Sequence, residues 1–506
     1  MHRFLPKLPI AAAALALCAV PWGAGHAQSG DPAGERVGTE HMVFEADTNP
    51  QAQAHFLRGL ALLHNFEYAR AAAALRESQK ADPDFVMAYW GEAMTHNHPL
   101  WEEQDRDAAR AILARLGTTP GARAAKAGTV REKAWLDAVE TLYSEVGSKD
   151  ERDLAYLAKM RAMLAAWPDD IDVRAFTGLA VLGSSHGGRQ VPIYMEAAGI
   201  LEPGFMTHEQ HPGILHYLIH SYDDPVHAPL GERMAERYAV VAPDAGHAQH
   251  MVSHIFHALA DWEASESANV KADAVVDRQR IAAGRDPADC GHYNEWLVYA
   301  RLQLGKDAND LVSACRAEAG QGASGEIAYG PVRSYTVMAA WQAVDAGIWP
   351  EPLGEDARAF LLPRLTMTHI SALRHRDDAA AVTDALEKMR RDADAVPALL
   401  ARMTPDDRTT MPWVERAIAQ VEAIRLLAIG DREAGLTALR AAGQAEAALP
   451  TVFGPPAIAK PSYELLGEEL LKLGRTAEAA DAFRKSLAFA PGRRLSLTGL
   501  EAATQG

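Results

Sequence analysis

Apolar residues recur along most of this chain at three- and four-residue intervals, in stretches rich in Ala, Leu, Glu and Arg. Gly, Asp or Pro interrupts each stretch after a few helical turns. That spacing puts the apolar positions on one face of a helix, and those four residue types are strong helix formers. No runs of strict alternation, the mark of a half-buried strand, accompany them. The pattern therefore predicts an all-α chain of short helices. Near the start it places helices over Ala54–His64 and Tyr68–Ala81, with Asn65, Phe66 and Glu67 as the turn. Asp82-Pro83 then opens a third helix, where proline's missing N–H costs nothing. Near the end, Ser462–Leu473 and Arg475–Ala490 form a second pair, divided at Gly474 and closed by Pro491. Interruptions fall at Thr118–Thr129, Gly183–Ile193, Gly320–Gly330 and Thr451–Pro461.

In the first stretch Gly59, Tyr68, Ala71, Ala81, Pro83 and Ala88 stand where the tetratricopeptide repeat places small, aromatic and proline residues. Ala477, Phe483, Ala488 and Pro491 do the same in the last. The chain thus resembles that family, whose helix pairs repeat about every 34 residues. Degenerate copies fit Arg152–Gly183, Pro212–Ala242, His247–Ala272, His292–Ala319 and Pro412–Ala448. The resemblance implies a right-handed α-solenoid of antiparallel helix pairs, because one pair cannot bury its apolar face alone and neighbours must stack. It also implies a protein or peptide partner in the solenoid groove. The expected division is N-terminal repeats at 28–182, a His-rich middle at 183–330, degenerate repeats at 331–450, and a C-terminal repeat with its tail at 451–506.

Length and charge narrow this further. A chain of 506 residues is too long for one compact core and suits an open array. A formal charge of −17 argues against nucleic acid, which needs a basic face. Residues 1–27 read as a signal peptide: Arg3 and Lys7, an apolar run through Ala11–Val20, then Gly25-His26-Ala27 before Gln28. Cleavage near Ala27-Gln28 would make the mature chain periplasmic or secreted. No later stretch has the length and apolarity of a membrane span. Cys18 lies in the leader, which leaves Cys290 and Cys315 as a candidate disulfide in an oxidising compartment.

Histidine is distributed unevenly. Of 20 histidines, nine lie between His208 and His257: His208, His211, His216, His220, His227, His247, His250, His254 and His257. His216 and His220 are four apart, as are His250 and His254, so each pair shares a helix face. The two pairs are offset by 34 residues (250 − 216 and 254 − 220), the length of one repeat. Equivalent positions of successive repeats stack, so the four imidazoles are expected to converge on neighbouring helices and hold a metal ion. His247 and His257 extend the second set along nearly the same face. Glu295, His292, His211 and Asp223 are candidates for further ligands or for groups that orient an imidazole. Imidazole donors without a nearby thiolate suit copper or zinc, with iron behind them. Six or more histidines could also hold two metals. Without a metal, each buried imidazole would need its own hydrogen-bond partners.

Smaller features carry alternative expectations. The segment His96–Trp101 could add ligands if the solenoid curls, or could simply cap a helix with Trp101 over apolar surface. His64 is expected to pack with Phe66 and Tyr68, and His369 and His375 to lie at the surface or cap helices. No Ser-His-Asp order, phosphate-cradling glycine loop or dinucleotide fingerprint is present. Three functions follow. One is a metal-free interaction scaffold. Another is a metalloenzyme, a zinc hydrolase or a copper or iron oxidoreductase acting on a small-molecule substrate. The third combines them, a repeat scaffold holding a functional metal. No catalytic residue is identifiable from the sequence.

Overall fold

The computed structural model describes residues 34–320, 327–351, 354–403, 407–452 and 454–505. The expected signal peptide at 1–27 lies outside the described residues. Within them the chain is all-α, apart from a two-stranded ribbon that pairs Asn97–His98 with Glu103–Gln104. The first helix pair is Pro50–His64 and Tyr68–Ala81, and the last is Ser462–Lys472 and Thr476–Phe489. Asn49 begins the array: its side chain accepts from the Ala52 N–H, with Pro50 in the first turn, so both the cap and the fixed proline φ favour starting a helix there.

The middle of the chain is the part that builds the site. Ile171–Leu182 pairs forward with Val191–Thr207, Pro212–Tyr222 with Ala228–Val241, Gly246–Ala258 with Trp262–Ala282, and His292–Gln303 with Asn309–Gly320. Ile171–Leu182, Pro212–Tyr222 and Gly246–Ala258 also pack on one another in sequence order, forming a row of inner helices. This is the stacking that lets helix pairs share a continuous core. That core runs as two clusters, one drawing on residues 37–268 and the other on 262–503. A disulfide joins Cys290 and Cys315 across the helix pair that follows the row. Among the described residues no helix is long and apolar enough to cross a membrane.

Both ends of the array curl back onto its middle. Pro50–His64 packs against Pro212–Tyr222, and the Tyr238 hydroxyl donates to Asn65 Oδ1 at 2.8 Å. At the other end Trp262 Nε1 donates to the Gly492 carbonyl at 3.2 Å. In several helix pairs the turn contains a left-handed residue, which is glycine at Gly305, Gly430 and Gly474. In two turns it is not: Phe66 has φ 55° and Ala260 φ 60°. A side chain there is strained, and such strain persists where surrounding structure requires it.

Candidate metal centre

His216 lies four residues after the first residue of Pro212–Tyr222, and His250 four after the first of Gly246–Ala258. The 34-residue offset therefore places them at the same height on adjacent inner helices, with His220 and His254 one turn further on. The four do not converge on one point. They divide into two groups, each a four-apart pair completed by a histidine from the first turn of the next inner helix. His216 and His220 are joined by His247, and His250 and His254 by His292. Within each group one ligand-capable atom per residue lies within 4.8 Å of the others. The two groups meet where the His220 and His254 rings come to 5.6 Å.

In the second group the proton positions follow from the partners. The Asn269 amide nitrogen donates to the Ser265 carbonyl, which leaves its Oδ1 as the acceptor for His250 Nδ1 at 2.7 Å. His254 Nδ1 donates to Asp223 Oδ2 at 2.9 Å. Both imidazoles thus carry their proton on Nδ1, and their Nε2 lone pairs face each other at 3.1 Å. Two lone pairs at that distance repel unless a cation lies between them. Nitrogens bound at about 2.1 Å to one tetrahedral ion would sit roughly 3.4 Å apart. His292 is exposed and opens this group to solvent. Burial, and the nearby His292, His254 and His247, keep the His250 pKa well below its ordinary value, so its imidazole is neutral and free to ligate.

In the first group His216 Nδ1 donates to the His64 carbonyl at 2.6 Å, leaving Nε2 buried without a hydrogen-bond partner among the described residues. His247 Nε2 is likewise buried and unpartnered. Burial holds the pKa of both well below the ordinary value, with neighbouring histidines adding to the effect.

Asp223 links the groups. Its Oδ2 accepts from His254 and lies 3.5 Å from His220 Nδ1, while its Oδ1 accepts from Arg189. Arg189 is itself buried, donates to Asp224 at 2.9 Å and to the Ser221 carbonyl at 3.0 Å, and so ties the 183–190 loop beneath the centre. Burial would raise the Asp223 pKa, but Arg189 and the hydrogen bonds from His220 and His254 outweigh it and hold the carboxylate ionised. Asp223 and Asn269 are thus the groups that fix tautomers and aim nitrogens.

Other expected residues go elsewhere. His257 packs against Trp262, Trp296 and Tyr299 and belongs to neither group; burial holds its pKa down to about 3. Glu295 accepts from Arg333 at 2.8 Å and Ser334 at 2.7 Å instead of facing His250, and Trp296 stacks on His254 in its place. His211 belongs to a separate buried cluster: its Nε2 lies 3.4 Å from Asp172 Oδ1, and its Nδ1 accepts from the Ile214 N–H. His64 shares that cluster, with Nε2 3.2 Å from Asp172 and Nδ1 2.9 Å from the Tyr217 hydroxyl. It packs on Phe176 and His211, not on Phe66 and Tyr68 as expected. His98 stacks on Tyr68 and bonds to the Thr95 carbonyl, so the His96–Trp101 segment adds aromatic wall and no ligand. His369 is buried against Gln420 at 2.8 Å and is not a surface residue. Asn269, Arg189 and Phe66 also build the centre and are not among the residues expected from the sequence. Only Phe66 left a trace, as a bulky residue at a turn position that favours glycine.

The buried histidines outside the two groups give a pH prediction. Burial lowers His64 and His369 to about 4. The unfolded chain protonates these positions near 6.5, so each takes up a proton on unfolding between those values. Stability is intact above pH 6.5 and falls as the pH drops towards 4, by about 1.4 kcal/mol per pH unit for each residue. Urea midpoints measured at pH 7 and pH 5 should show the fall, and His369→Gln should reduce it by that residue's share while the His64 share remains.

Stacked helix pairs with a buried histidine centre define an α-helical repeat protein. Residues 461–493 match the family model described as Tetratricopeptide repeat, and the match covers that segment of the chain. No curated protein matches the chain. Among solved structures it is similar to the Cut9–Hcn1 hetero-tetramer of the APC/C at 12% identity, over 91% of this chain and 78% of that one, with a TM-score of 0.36. It is similar to yeast Tom70 at 10% identity over 91% and 90%, TM-score 0.32. It is also similar to the human IFIT1 dimer with m7Gppp-AAAA at 10% identity over 93% of each chain, TM-score 0.34. At those scores the likenesses carry no functional argument.

Proposed function

We propose that this protein is an exported tetratricopeptide-repeat scaffold that holds a transition-metal ion, zinc or copper, between His250, His254 and His292. The observation that carries this is the pair of Nε2 atoms facing each other at 3.1 Å while both Nδ1 atoms donate elsewhere. A proton between them would serve two nitrogens, whereas a metal serves those two and His292 together. The donor set is imidazole with no thiolate, which suits zinc and copper ahead of iron. Export is supported by the leader pattern of residues 1–27 and by the Cys290–Cys315 disulfide. The repeat array supplies surface for a protein or peptide partner.

A second reading, a metalloenzyme, is favoured by the exposure of His292. Three protein ligands and a solvent-facing side leave a coordination position for water or a small-molecule substrate. The first reading is tested by elemental analysis of the protein purified from its native compartment, beside His250→Ala/His254→Ala. The native chain should carry stoichiometric metal that the variant loses. Below roughly 0.2 metal per chain in both, the chain holds no stoichiometric metal and the proposal fails.

A further inference from the structure

We infer that the chain holds a second transition-metal ion, zinc or copper, between His216, His220 and His247, next to the first. This rests on the reading just given and extends it to two ions. The two histidine groups are repeat-related copies. In each, an inner helix supplies a four-apart pair at the same height, and the next inner helix supplies a third histidine from its first turn: His247 is the second residue of Gly246–Ala258, and His292 the first of His292–Gln303. Both groups have the same kind of support. His216 Nδ1 is committed to a carbonyl as His250 Nδ1 is to an amide oxygen, so the free nitrogen is Nε2 in both.

Independent features point to a ligand in the first group. Among the described residues His216 Nε2 and His247 Nε2 are both buried and unpartnered, and a buried polar atom without a partner is costly unless something binds it. The rings of His216 and His247 lie 5.0 Å apart and those of His216 and His220 4.9 Å. Phe66 walls the group, with its ring 4.3 Å from His216 and 5.5 Å from His247, and it keeps a left-handed backbone to do so. Three other repeat turns use glycine at that position, so the strain sits beside this cluster. The two groups adjoin through His220 and His254, and His247 lies 6.1 Å from His250. Asp223, between His220 and His254, supplies negative charge to both.

The test is zinc stoichiometry of the full chain, stripped with chelator, reloaded with zinc sulfate and desalted, with helicity followed by circular dichroism. The expected result is two zinc ions per chain, one of them lost in His216→Gln/His247→Gln and the other in His250→Gln/His254→Gln. One zinc per chain, lost only in the 250/254 variant, overturns the second site and leaves the first standing. Two zinc ions retained in the 216/247 variant also overturn it. No zinc in the unaltered chain removes both sites. If the buried His216 change prevents folding, His247→Gln alone decides, since that residue is partly exposed. It should release the second ion at least ~10-fold more readily to a competing chelator, and unchanged release overturns the assignment.

Discussion

Arg493→Ala is expected to lower stability by about 3–5 kcal/mol, because it strands two buried carboxylates. Arg493 is fully buried and holds the end of the array to its middle. Its Nε and Nη2 donate to Glu464 at 2.7 and 3.0 Å, its Nη1 to the Tyr299 hydroxyl at 3.2 Å and to Asp345 at 3.4 Å, and its Nη2 to the Ala459 carbonyl at 3.2 Å. Without the guanidinium, Lys460 at 3.1 Å is the remaining cation against Glu464. Lysine in its place should rescue little, since its single ammonium cannot reproduce the planar fork. Repeat arrays couple mainly to their neighbours, so faster amide exchange should concentrate in residues 459–505 and in the helices carrying Tyr299 and Asp345. A loss under about 1 kcal/mol would show that the closure is not held by this pair.

The second large effect is expected at Asp172. Its carboxylate lies between His64 Nε2 at 3.2 Å and His211 Nε2 at 3.4 Å, and all three side chains are buried. Burial alone would raise the Asp172 pKa, but the hydrogen bonds from His211 and His64 dominate and keep it ionised. Asp172→Ala leaves two buried N–H groups without an acceptor, at about 1–3 kcal/mol each. Denaturant midpoints should therefore fall by the equivalent of about 2–6 kcal/mol, and Asp172→Asn should cost less because one acceptor oxygen remains. The same cluster supports the first histidine group, because the His64 carbonyl receives the His216 proton. A neutral Asp172→Ala would mean that these imidazoles find other partners.

Much of this architecture is written locally. The three- and four-residue apolar spacing locates the helix pairs, since only side chains on one face can share a core. The 34-residue offset between His216 and His250 likewise transmits directly into equal height on adjacent helices, because each pair of helices is one step of the stack. The split into two groups is less legible. His247 follows His216 by 31 residues, whereas His292 follows His250 by 42, because the intervening Trp262–Ala282 helix is long. That unequal spacing hides the third member of each group. The position of Glu295 differs from expectation for a related reason. Counting back from the turn at Leu304 puts it level with His250, but counting from the helix start gives that level to Trp296, and one residue is about 100° around a helix. His64 and Phe66 reach the centre from more than 140 residues away through the curl of the array, which no local pattern encodes.

A metal ion is expected where His250 and His254 face each other. Anomalous diffraction from crystals of the native protein, recorded on both sides of the zinc and copper absorption edges, tests it most directly. An anomalous peak is expected about 2.1 Å from His250 Nε2 and His254 Nε2, with His292 as the third nitrogen. Absence of any peak, with the two rings joined by a hydrogen bond and His292 turned to solvent, would contradict it.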